Sequence, residues 1–324
     1  MMLNPVLARE LRVRMRGRSA AVIVTLYTGV LALILWLIYR AAAGRSVGSV
    51  GIGASVAPII GRVAFHSVLF VVLILVCFIV PGLVSASIAG ERERQTLTAL
   101  QVSLLRPRQI VMGKLFAGFA FVALLIVVTL PIMAGSLLLG GVTIAEMVKG
   151  TLMVLWVGFA LAAATIAISA VTRRVQTATV LSYGLMLLLL LGTFLAYGGE
   201  ALARRESHTS RLHAQTLLLN PLVATASVLS SAQNLGYTID SPFTPFQSLV
   251  PGKRTSLNNL NSGIIRAPDG RFVPIGAAAR FAPGRARPRS MFWLQSAATF
   301  AVLVVVSLTA ATRRVRTPAK TLRA

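Results

Sequence analysis

The sequence predicts an all-α polytopic membrane protein with six transmembrane helices. An N-terminal interfacial helix precedes the first span, a cytoplasmic helix follows the second, and a large outer loop precedes the last. Three observations predict it. The 324 residues are 56% hydrophobic and only 12% charged, against about 25% charged in soluble domains. Apolar runs recur at the length of about 20 residues that a bilayer requires. Lys and Arg gather at the ends of those runs and not inside them.

The chain opens with "LNPVLARELRVRMRGR". Pro5 suits a first helical turn with Asn4 as its cap. Leu3, Val6, Leu7, Leu11, Val13 and Met15 share a broad apolar face, and Arg9, Arg12 and Arg16 share the other. Glu10 and Arg14 are spaced i, i+4 and can pair. Residues 1–19 therefore read as an interfacial helix in the cytoplasmic headgroup layer, the simpler alternative being a positive-inside anchor. Gly17 permits a bend into the first span, 20–39. That run is too long for the apolar region of a signal peptide, so it reads as an uncleaved span.

The second span is 63–89, and residues 90–107 follow it as "GERERQTLTALQVSLLRP". This segment holds two of the chain's eight acidic residues, Glu91 and Glu93. Gly90 allows a break there. A short helix then starts with Glu91, Arg92, Glu93 and Arg94, the acids favouring its dipole. Leu97, Leu100 and Leu104 recur at three and four and form one apolar stripe. Pro107 ends the helix. A stiff helix with an apolar edge suits either a groove on a soluble partner or the bilayer surface.

The third, fourth and fifth spans are 115–139, 151–171 and 178–197. Gly158, Ala160, Ala162, Ala163, Ala164 and Ala167 give the fourth a small-residue face for close helix packing, either within one subunit or between two. Residues 198–290 form the extracytoplasmic loop. Within it, 220–231 is apolar, too short to span, and opens with an Asn-Pro cap signal, which reads as a re-entrant or interfacial helix. Beyond it Pro, Gly, Ser, Asn and Arg predominate, as in loops. "GIIRAPDGRFVPIG", with Asp269-Gly270 at a turn, is open between a loop and one small hairpin. The last span is 291–312 and the tail 313–324.

Orientation follows from basic residues in short loops and flanks. With the N-terminus in the cytoplasm, that side holds Arg9 to Arg18, then Arg92, Arg94, Arg106, Arg108 and Lys114. It also holds Arg173 and Arg174, then Arg313, Arg314, Arg316, Lys320 and Arg323. The short outer segments hold Arg40, Arg45, Arg62 and Lys149. Both termini are expected in the cytoplasm.

Several functions are excluded or disfavoured. The formal net charge of +24 comes without any nucleic-acid-binding motif, and its placement fits membrane topology and lipid headgroups instead. The single cysteine, Cys77, lies in an apolar run, and His66, His208 and His213 have no ligand cluster around them, so no metal site is expected. The span interiors hold no Asp, Glu, Lys or Arg, which argues against an ion-coupled carrier; His66 reads as a histidine near a membrane edge. No catalytic set for an intramembrane enzyme is present. No GxxxxGK[ST] phosphate loop occurs; "PGKRTS" at 251–256 lacks the upstream glycine.

The N-terminal "NPVLARELRVRMRGR", the "GERERQTLTALQVSLLRPRQIVMGK" segment and the six spans with their loop resemble the permease subunits of ABC-2 type transporters. The resemblance covers about the first 200 residues. It implies that residues 1–19 are the elbow helix, marked by Pro5, Leu7, Arg9, Glu10, Leu11 and Arg14. It implies that 90–107 is the coupling helix that inserts into an ATPase subunit. Its residues would be Glu91, Arg92, Glu93, Arg94, Thr96, Leu97, Leu100, Leu104 and Pro107, with Gly113 and Lys114 at the next span. Where Gly-Thr is common this chain has Gln95-Thr96. Arg92 and Arg94 would pair with acidic residues around the ATPase groove, and Glu91 and Glu93 with basic ones or with their own helix end. The chain itself would carry no cofactor; ATP and Mg would sit on the partner ATPase. A second permease copy or a related permease, membrane lipid, a bacterial cytoplasmic membrane and export are implied in the same way. The competing function is a non-transporting scaffold that recruits a cytoplasmic partner.

Overall fold

A computed structural model of the chain describes residues 18–45, 57–96, 107–203, 214–229, 241–250, 264–266, 272–274 and 292–316. The interfacial segment 1–17 lies outside them, with Pro5, Leu7, Arg9, Glu10, Leu11 and Arg14. So do Leu97, Leu100 and Leu104.

The architecture is helical. α1 is Arg18–Arg45, α2 Ala57–Val84, α3 Ala86–Glu93, α4 Pro107–Leu138 and α5 Ile144–Val171. α6 is Val175–Leu187, and it continues through a π-helical turn, Leu188–Gly192, into α7, Thr193–Ala203. A 3-10 helix, Ala214–Leu219, leads to α8, Pro221–Val228, and α9, Thr244–Ser248. β1, Ile264–Arg266, pairs antiparallel with β2, Phe272–Pro274, Ile265 facing Val273. The small hairpin is thus formed. α10, Phe292–Arg316, closes the described chain.

Among the described residues, five helices are long and apolar enough to cross a membrane, including Ile60–Glu93, Val175–Glu200 and Phe292–Val315. The apolar described part of α1, Val24–Ile38, is shorter.

α5 lies at the centre and packs against α2, α3, α4, α6, α8 and α10. Its small face is buried: Ala160, Ala162 and Ala163 are fully enclosed. At Gly158 an added Cβ would sit 2.9 Å from Val76 Cγ1 of α2, closer than packed carbon atoms approach. The small-residue face therefore serves packing inside this chain. Directional bonds add to the apolar packing. Tyr27 and Thr129 share a hydroxyl bond of 2.7 Å between α1 and α4. Trp156 Nε1 donates to Ala297 O, joining α5 to α10.

The turn before α5 carries Gly140 and Gly141 at positive φ. A side chain at Gly141 would also run into the Pro58 carbonyl at the start of α2. Thr143 then caps α5, its hydroxyl accepting from Glu146 N at 3.2 Å.

The π-helical turn and α8 explain each other. A π turn leaves carbonyls out of the regular ladder. Asn220, fully buried, donates from Nδ2 to Leu190 O at 3.0 Å and to Thr193 Oγ1 at 2.7 Å. Its Oδ1 accepts from Leu222 N and Val223 N. The Asn-Pro signal at 220 is a helix cap, as the sequence suggests, and also the bond that holds α8 to the irregular part of the α6–α7 span.

Candidate functional site

The segment after α2 departs from the sequence expectation. Gly90 does not break the helix. Pro81 lies inside α2, Ser85 follows α2 with helical angles (φ −57°, ψ −36°), and α3 runs through Gly90 to Glu93. Glu91 and Glu93 therefore sit in the last turn of a helix and not in the first turn of a new one. Gln95 N donates to Arg92 O and Thr96 N to Glu91 O, both near 3 Å, a Schellman closure with Gln95 at φ 58°. Pro107 opens α4 at its first position. It does not end a described helix; 97–106 lies outside the described residues.

Three bonding groups fix this segment. Ser169 Oγ of α5 accepts from Ile88 N and Ala89 N and donates to Ser85 O at 2.6 Å. One hydroxyl of α5 so serves the first turn of α3, whose amides have no partner within that helix. Lys114 of α4 is 2% exposed and donates to Ser87 O at 2.8 Å and Glu91 Oε1 at 2.7 Å. A buried ammonium is tolerable only with such charge and acceptor partners.

The third group involves Arg92 and Glu93. Arg92 donates to Ala170 O and Thr172 O at 2.8 Å, with Val171 O at 3.5 Å. These are carbonyls at the C-terminal end of α5. Glu93 Oε2 accepts from Val175 N, the first amide of α6, at 3.0 Å. The positive charges of Arg173 and Arg314 act on Arg92 as well. Of the residues expected to meet an ATPase through charge, Glu91, Arg92 and Glu93 are thus engaged within their own chain. Arg94 is exposed. Thr96 is also exposed and donates from Oγ1 to Glu91 O at 3.2 Å.

A second polar cluster lies at the opposite end of α2 and α5. Arg62 Nη2 is 3.4 Å from Glu146 Oε2, and His66 Nε2 is 3.6 Å from Glu146 Oε1. All three residues are buried, Glu146 to 6% exposure. His66 is flanked by Phe65 and by Phe243. The sequence alone puts Arg62 in a short outer segment and His66 near a membrane edge, and gives Glu146 no role. The i, i+4 spacing of Arg62 and His66, with a Glu at the capping position of the next inward span, was the available signal. Among the described residues no group of three or more His, Cys, Asp or Glu is placed to hold a metal ion.

Comparison with known proteins gives one family match. A family described as "ABC-2 family transporter protein" matches residues 61–312. No curated protein matches the chain.

Proposed function

The chain belongs to the ABC-2 family of transporter proteins, and from that premise we propose that it is the permease subunit of an ATP-driven exporter, coupled to a separate ATPase polypeptide. The observation that carries the coupling is the bonded segment at 85–96. It ends in an exposed, charged turn, and it is tied to α4 through Lys114, to α5 through Ser169 and Arg92, and to α6 through Glu93. A force applied just beyond Thr96 meets four helices at once.

In this reading the end of the molecule that bears Arg92, Arg173 and Arg314 faces the cytoplasm, with both termini on that side and six spans in a bacterial inner membrane. ATP and Mg bind to the partner. Leu97, Leu100 and Leu104 enter its groove, while Glu91, Arg92 and Glu93 before them act inside the permease. Two permease copies, or this chain and a related permease, form the path.

The test is co-purification of the full chain with its ATPase from detergent, with ATP turnover measured on the complex. Leu97→Asp/Leu100→Asp is expected to lose the ATPase while inserting in the membrane as wild type does. Retention of the ATPase by that variant removes the proposed groove contact. Failure of the wild-type chain to bind or modulate any ATPase leaves the scaffold function standing.

A further inference from the structure

The three-residue turn Thr172, Arg173 and Arg174 joins α5 to α6. The last carbonyls of a helix and the first amides of the next have no intrahelical partner. Arg174, at the N-cap of α6, makes no side-chain cap bond. Adjacent residues of α3 supply what is missing. The Arg92 guanidinium collects the carbonyls of Ala170 and Thr172, and the Glu93 carboxylate takes the amide of Val175. One residue grips the end of α5 and the next grips the start of α6.

We propose that Arg92 and Glu93 are a latch that carries displacement of the coupling segment to the α5–α6 turn, so that the spans on either side of that turn move with α2 and α4. The proposal rests on the permease reading above and adds a transmission route within it. Arg92 and Glu93 are positioning residues here, and neither touches the ATPase. Three features favour transmission over mere local packing. The contacts reach both sides of one turn, Arg92 donating to the end of α5 and Glu93 accepting from the start of α6. The guanidinium fork fixes direction as well as distance. The latch residues lie in the last turn of α3, immediately before the Gln95 closure, so only Arg94, Gln95 and Thr96 separate them from Leu97.

The polarity also separates this role from charge pairing with a partner. The amide of Val175 needs an acceptor, not a negative charge. Glu93→Gln keeps an acceptor and Glu93→Leu removes it.

The experiment uses the full chain with its ATPase in lipid nanodiscs. Nitroxides are placed at the exposed Thr177→Cys on α6 and Thr309→Cys on α10 in a Cys77→Ala background. The distance between them is read by pulsed electron spin resonance with and without a non-hydrolysable ATP analogue. The wild-type complex is expected to show a nucleotide-dependent shift. Arg92→Gln/Glu93→Leu is expected to keep the ATPase bound and lose most of the shift, Glu93→Leu alone to lose part of it, and Glu93→Gln to retain it. The single Glu93 pair carries the test if the double variant does not fold. A full shift in both Glu93→Leu and the double variant overturns the latch, as does equal loss in Glu93→Gln and Glu93→Leu, or no shift in the wild-type complex. If the wild-type chain holds no ATPase, the permease reading fails and the latch falls with it; a bound ATPase with an unaffected shift sinks the latch alone.

Discussion

Gln95 occupies a backbone position that suits glycine. At φ 58° its Cβ crowds the following carbonyl, a conformation costing roughly 1 kcal/mol or more for an ordinary L residue. The closure bonds from Gln95 N and Thr96 N hold it there. ABC-2 permeases commonly carry Gly-Thr at this place, and the Schellman geometry supplies the reason: the residue after the helix cap must be left-handed. Gln95→Gly is therefore expected to stabilise the chain by about 1 kcal/mol, read as a higher thermal midpoint in detergent. An unchanged or lower midpoint removes the strain. The sequence showed the Gln but not its conformation, because a left-handed residue is identified by the bonds that close around it.

At the scale of elements, the apolar runs located the long helices, and their ends were the weaker part of the reading. α4 begins at Pro107 and α5 at Ile144, each about two turns before its apolar run. Hydropathy counts residue types and is blind to partners. Lys114 looked like a loop cation and Glu146 like nothing in particular, yet each lies inside a helix with an opposite charge beside it. Gly90 was read as a break for a related reason. Glycine within a helix costs only about 1 kcal/mol relative to alanine, and the bonds from Ser169 and Lys114 to α3 outweigh that. The Asn-Pro signal, by contrast, was legible because capping is local.

Its tertiary half was not legible, and it makes a testable difference between elements. Asn220 bonds α8 through Oδ1 and the π turn through Nδ2. Asn220→Ala removes both and leaves buried groups unsatisfied, so a loss of about 2–4 kcal/mol is expected. Asn220→Asp keeps the cap oxygens and loses the donor, and is expected to fall between the two. Thermal unfolding of the three proteins in one detergent checks the order; equal stability of Asn220→Ala and wild type removes the bridge.

At the scale of the whole molecule, the proposed topology follows from the positive residues and the helix directions together. Leu138 ends α4 and is 91% exposed; Thr177 lies in the first turn of α6 and is exposed at the end that carries Arg92. In a Cys77→Ala background, Leu138→Cys is expected to react with a membrane-impermeant maleimide on intact cells, and Thr177→Cys only after the membrane is opened. The reverse pattern inverts the proposed orientation.

The Glu91–Lys114 and Arg62–Glu146 ion pairs differ in how far apart their members lie along the chain. Glu91 and Lys114 are 23 residues apart, so both arrive with a single helical hairpin. Arg62 and Glu146 are 84 residues apart. At a synthesis rate of about 5–20 residues per second, roughly 4–17 seconds pass between them. During that interval the start of α2 is already made while its carboxylate has yet to leave the ribosome. The Arg62–Glu146 pair therefore closes only once α5 has been made, whereas the Glu91–Lys114 pair is complete as soon as α4 begins.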